Sequence, residues 1–81
     1  MHIDGLIRMA NDIGAFFAAE PQADLAANGV LVHIKRYWDP RMRRQIVEYY
    51  RDGGQGLAPH VSVAIARLAA ESPPTERKSS I

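Results

Sequence analysis

An 81-residue chain with 47% hydrophobic residues, 23% charged residues and no cysteine has room for one domain. That length excludes a multi-domain enzyme or a doubly wound sheet with its own cofactor cleft. The lack of cysteine excludes a disulfide framework, a thiolate nucleophile and a cysteine-based zinc or iron–sulfur site. Ten Lys+Arg against nine Asp+Glu leave a net charge of +1, too little for a global field toward nucleic acid or an anionic membrane.

The apolar pattern predicts four helices and no strand. Asp4 is an N-cap candidate, and Leu6, Ile7, Ala10, Ile13, Phe16 and Phe17 follow at helical spacing, so helix 1 is expected over about residues 5–19. Gly14 interrupts it at a cost of up to ~1 kcal/mol relative to Ala; it reads as a tolerated glycine, with close approach of another backbone as the alternative. Glu20-Pro21 opens the second unit, with Pro21 in the first turn and Asp24 favourable for the helix dipole. Ala27, Val30, Leu31, Ile34 and Trp38 share one stripe, which predicts helix 2 over about 22–37. Asn28-Gly29 in its middle leaves open a break into two short helices.

Asp39-Pro40 is the sharpest punctuation in the chain. Asp is a good N-cap, Pro at N1 loses no needed donor, and the residue before Pro avoids the α region. Helix 3 is expected from Pro40 to near Asp52, with Met42, Ile46, Tyr49 and Tyr50 as its stripe and Gly53-Gly54 as its stop. Helix 4 is expected at about 59–71, with Val61, Ile65 and Leu68 toward the core. Residues 72–81 carry Ser, Pro and charge with no apolar period and read as a disordered tail. The predicted architecture is all-α: a helical domain over residues 1–71, built as a small bundle of three to four short antiparallel helices, then the tail. A chain of this size buries only about 60% of its unfolded surface; if the core falls short, the remaining stability must come from a second copy or a partner, and a self-associating helical scaffold is an alternative reading. The N-terminus lacks a basic leader region, and no apolar run nears the ~20 residues of a membrane span; a cytoplasmic protein is expected.

The informative stretch is His33-Ile34-Lys35-Arg36-Tyr37-Trp38-Asp39-Pro40-Arg41-Met42-Arg43-Arg44. Its five bases stand against Asp39 alone. A helix end carrying two aromatics, followed by a rigid corner, presents guanidinium groups whose planar forks suit carboxylates or phosphates. His33, Arg36, Tyr37, Trp38, Asp39, Pro40, Arg41, Arg43 and Arg44 are therefore the candidate partner-binding residues. The same residues admit a structural reading in which Trp38 is core, Asp39 a cap and the bases a solvated face. Nucleic-acid binding through residues 35–44 is an alternative. It is disfavoured by the near-zero net charge and by the shortage of Asn, Gln, Ser and Thr beside the bases.

Catalysis and metal binding find little support. His2, His33 and His60 are scattered, with no pair at i, i+4 and no HExxH. There is no nucleophile motif, and Gly53-Gly54-Gln55-Gly56 lies between helices rather than after a strand. The thin core is expected to leave little room for a pocket of about 300 Å³ or more.

Three segments carry a resemblance to a known family. The opening Ile3-Asp4-Gly5-Leu6-Ile7-Arg8-Met9-Ala10-Asn11-Asp12-Ile13-Gly14-Ala15-Phe16-Phe17, the central run His33–Arg43 and the turn Gly53-Gly54-Gln55-Gly56-Leu57-Ala58-Pro59 resemble the delta subunit of NAD-dependent formate dehydrogenase. Their order and spacing match from about residue 1 to 70; the central run is the most specific, and the tail lies outside. The resemblance implies a non-catalytic accessory subunit of a cytoplasmic molybdenum enzyme. The partner would be its large catalytic subunit, holding a bis-molybdopterin guanine dinucleotide and iron–sulfur clusters, with flavin and further clusters on other subunits. The resemblance implies no cofactor on this chain. Its implied role is to support assembly, stability or cofactor acquisition. The chain is thus expected to grip the large subunit through the helix 2–helix 3 corner, with Tyr37 and Trp38 as buried anchors and the arginines meeting acids or cofactor phosphates.

Overall fold

The structure is a computed structural model that describes residues 2–71; the tail expected over 72–81 lies outside the described residues. Four helices follow one another: α1 (Ile3–Phe17), α2 (Ala23–Tyr37), α3 (Pro40–Arg51) and α4 (Pro59–Glu71). There is no strand among the described residues. The all-α class and the four-helix count stand as the periodicity indicates.

Two helix starts differ from their expectation. α1 begins at Ile3 rather than about 5, with His2 at the N-cap in an extended conformation, so Asp4 sits inside the first turn. There it faces the positive end of the helix dipole without capping it. Gly5 and Leu6 donate to His2 O instead. α2 begins at Ala23, so Pro21 precedes the N-cap Gln22 rather than occupying the first turn. The Glu20 carboxylate accepts from the Gln22 amide at 3.2 Å and closes that entry locally. The Asn28-Gly29 pair leaves α2 unbroken.

The other boundaries follow local chemistry closely. Asp39 Oδ1 accepts from Met42 N at 2.9 Å and caps α3, with Pro40 at its first position. At the far end Gly53 N donates to Tyr50 O and Gly54 N to Tyr49 O, the paired bonds that close a helix on a left-handed residue. Gly53 and Gly54 hold φ of 129° and 60°, values that a side chain would strain.

Packing joins α2 to α1 and α4, and α3 to α1 and α4. α2 and α3 are neighbours in sequence yet barely touch, because the two-residue corner turns α3 away onto the other pair. The core comprises Leu6 and Ala10 of α1, Val30, Leu31 and Ile34 of α2, Trp38 at the C-cap of α2, Ile46 and Val47 of α3, and Val61, Ala64, Ile65, Leu68 and Ala69 of α4. Each fully buried Val, Leu or Ile contributes about 1.5–3 kcal/mol.

Gly14 is not a passive break. A Cβ there would lie 2.3 Å from Val61 Cγ2 and 3.1 Å from His60 Nε2, so the position lets α4 approach α1. His60 seals this approach: its Nε2 donates to Gly14 O at 2.7 Å, which places the ring proton on Nε2 because a carbonyl only accepts. Asn11 ties the α3–α4 loop to α1 through two bonds of 2.9 Å. Its Nδ2 donates to Gly56 O, and Ala58 N donates to its Oδ1.

Candidate functional site

The corner between α2 and α3 divides the predicted site residues into two groups. The first holds the corner together. Trp38 is 4% exposed and belongs to the chain's own core, so the expectation that it is an anchor for a partner is corrected. Its position follows from the stripe Ala27, Val30, Leu31, Ile34, which is buried along its whole length and carries the indole inward with it. Asp39 caps α3, and Pro40 sets the corner. The half-buried Arg43 reaches back from α3 so that Nη1 donates to Trp38 O, with Lys35 O at 3.5 Å. A guanidinium at this place answers carbonyls left open at the end of α2 and favours the negative end of its dipole.

The second group faces outward. Arg36, Arg41 and Arg44 are exposed. Lys35 is spent on Glu71 of α4, at 2.6 Å. Arg41 and Arg44 are three residues apart on one flank of α3, a spacing that puts both guanidinium groups on the solvent side. Tyr37 is 67% exposed, with its ring tilted at 45° against His33 at a centroid distance of 4.7 Å. Of the nine candidate residues, Arg36, Tyr37, Asp39, Pro40, Arg41 and Arg44 are exposed, His33 and Arg43 are half-buried, and Trp38 is buried.

A surface feature beside the corner was not expected. Ile13, Phe16 and Phe17 of α1 and His33 and Tyr37 of α2 line an open groove of about 590 Å³ between the two helices. It lies on the outside of the hairpin, which is why a thin core does not forbid it. Phe17 is its floor and packs over Gly29, where a Cβ would lie 2.5 Å from the ring. Phe16 stands edge-on to Phe17 with centroids 5.0 Å apart and is 78% exposed. Treating Phe16 and Phe17 as one apolar stripe hid this. At roughly 100° per residue, adjacent phenylalanines point to different faces, and Ile13 and Phe17 take the inner one.

The described residues hold no group of three His, Asp or Glu placed to bind a metal ion, and no helix among them is long and apolar enough to cross a membrane. What the surface offers chemically is guanidinium donors and aromatic faces, a combination suited to macromolecular contact.

No curated protein and no solved structure matches the chain. A family model described as NADH-dependant formate dehydrogenase delta subunit FdsD matches residues 5–65, a span that includes α1 from Gly5 onward, the α2–α3 corner and the glycine turn. The chain belongs to the formate dehydrogenase delta-subunit family.

Proposed function

We propose that this chain is a non-catalytic accessory subunit that binds the large catalytic subunit of a cytoplasmic, molybdenum-dependent formate dehydrogenase and supports its assembly, stability or cofactor loading. Family membership supports the complex. The observation that favours binding through the corner is the set of exposed bases Arg36, Arg41 and Arg44. Desolvated on a partner, a guanidinium–carboxylate pair is bidentate and specific; left in water it contributes little. The partner surface would carry acids, or phosphates of a cofactor met during loading. Arg43 has a different part, holding the corner in shape.

Co-expression with the large subunit followed by affinity purification tests the reading. Wild type should recover the large subunit. Arg41→Ala/Arg44→Ala should recover far less and show a melting temperature close to wild type, since both side chains are exposed. Removing one arginine of a desolvated pair costs about 2–5 kcal/mol of binding, and removing one at the rim costs much less. Equal recovery of both proteins would take the corner out of the interface. No recovery of wild type would remove the accessory-subunit reading.

A further inference from the structure

We infer that the shallow depression between α2 and the C-terminal end of α4 seats a segment of the large catalytic subunit that lays an aliphatic side chain on Val32 and, about one helical turn along, a carboxylate on Arg36. This rests on the proposed accessory role and adds the chemistry the partner must present. Asn28, Leu31, Val32, Lys35 and Arg36 of α2 and Glu71 of α4 line a depression of about 390 Å³. Leu31, 6% exposed, is its apolar floor, and Val32 stands beside it 48% exposed. Asn28, Val32 and Arg36 follow at steps of four, so they share one strip of the α2 surface, each about 6 Å along the axis from the next. Leu25, exposed and seven residues before Val32, continues the aliphatic surface on the same side.

Charge selects the occupant. Lys35 is closed on Glu71 at 2.6 Å, so these two charges answer each other within the depression. Arg36 is exposed, and neither its guanidinium nor the Asn28 amide has a hydrogen-bonding or ionic partner among the described residues. The depression therefore keeps one uncompensated positive charge beside an aliphatic wall. An aliphatic side chain next to a carboxylate matches both features. Covering Val32 takes water away from the guanidinium, and a guanidinium–carboxylate pair gains strength and direction once desolvated. Asn28, at the far end of the strip, has a donor and an acceptor for a main-chain amide of the same segment. A second copy of this chain fits less well. Its Asp24, beside Leu25, is already held by Arg67. Its Asp12, exposed between Met9 and Phe16 on α1, would join unlike faces in a contact that runs on from copy to copy.

The test places a photo-reactive benzophenone amino acid at position 32 of the full chain, co-expressed with the large subunit. It runs beside Arg36→Glu and, as a control with the same charge change at an exposed site on α1, Arg8→Glu. Circular dichroism and melting confirm that each variant folds. Position 32 should crosslink to a large-subunit segment that carries an acid within one helical turn of an aliphatic residue. Arg36→Glu should lose about tenfold or more in affinity, while Arg8→Glu stays within about twofold of wild type. Changing the partner's acid to Arg should restore binding to Arg36→Glu. If wild type recovers the large subunit but position 32 crosslinks only to residues 72–81, to a second copy or to nothing, the assignment is overturned and the accessory role stands. The same holds if Arg36→Glu binds as wild type does, or if Arg8→Glu loses as much as Arg36→Glu. If wild type itself recovers no large subunit, both fall together.

Discussion

The α2–α3 corner and the α1–α2 groove are neighbours that share Tyr37, yet they use their residues in opposite ways. In the corner the conspicuous side chains are answered from within: Trp38 by the core, Asp39 by the Met42 amide, Arg43 by the carbonyl of Trp38. In the groove the conspicuous side chains are answered by little: Phe16 and Tyr37 turn most of their surface to water. A sequence run can therefore be distinctive because it builds a shape, while the surface that the shape offers is carried by less distinctive residues nearby.

The comparison is sharpened first by Trp38→Ala. If the indole is core, the change costs about 3–5 kcal/mol in urea unfolding, a large part of a small domain's stability. A cost under ~1 kcal/mol would return Trp38 to the surface and break the contrast. Arg43→Ala should cost about 1–3 kcal/mol, because the carbonyl it answers is left partly buried. Arg41→Ala, two residues away in sequence but exposed, should stay within about 0.5 kcal/mol of wild type. Similar costs for both would mean that Arg43 is as idle in the fold as its neighbours.

Gly14→Ala probes the scaffold beneath both regions. Overpacking against Val61 should cost about 1–3 kcal/mol, partly offset by up to ~1 kcal/mol of helix propensity. Gly5→Ala meets nothing within 4 Å and should stabilise by roughly 0.5–1 kcal/mol, so the two melting shifts should have opposite signs. Phe16→Ser tests the exposed side of the same scaffold. It should change unfolding by under about 1 kcal/mol, the size of its edge-on contact with Phe17.

Much of the fold was legible because its signals are local. Asp39-Pro40 and Gly53-Gly54 each settle a helix end through bonds spanning a few residues, and the boundaries they announce are the ones observed. Asp4 misled because a carboxylate near a helix start serves either as a cap or as a first-turn charge, and the His2 carbonyl takes the amides in question. Of the site, the bases at 36, 41 and 44 were legible as a group. That Lys35 is paired with Glu71, or that Arg43 faces back toward α2, was not.

By itself the sequence determined four helices, their order and the capped corner, because helix periodicity, caps and turn glycines act within a few residues of themselves. Only the tertiary structure decided that Trp38 goes inside while Phe16 stays out, that Gly14 and Gly29 are filled by Val61 and Phe17, and which bases remain unpaired. Those outcomes depend on side chains from helices distant in sequence competing for the same space and the same charges, and no local pattern records who wins.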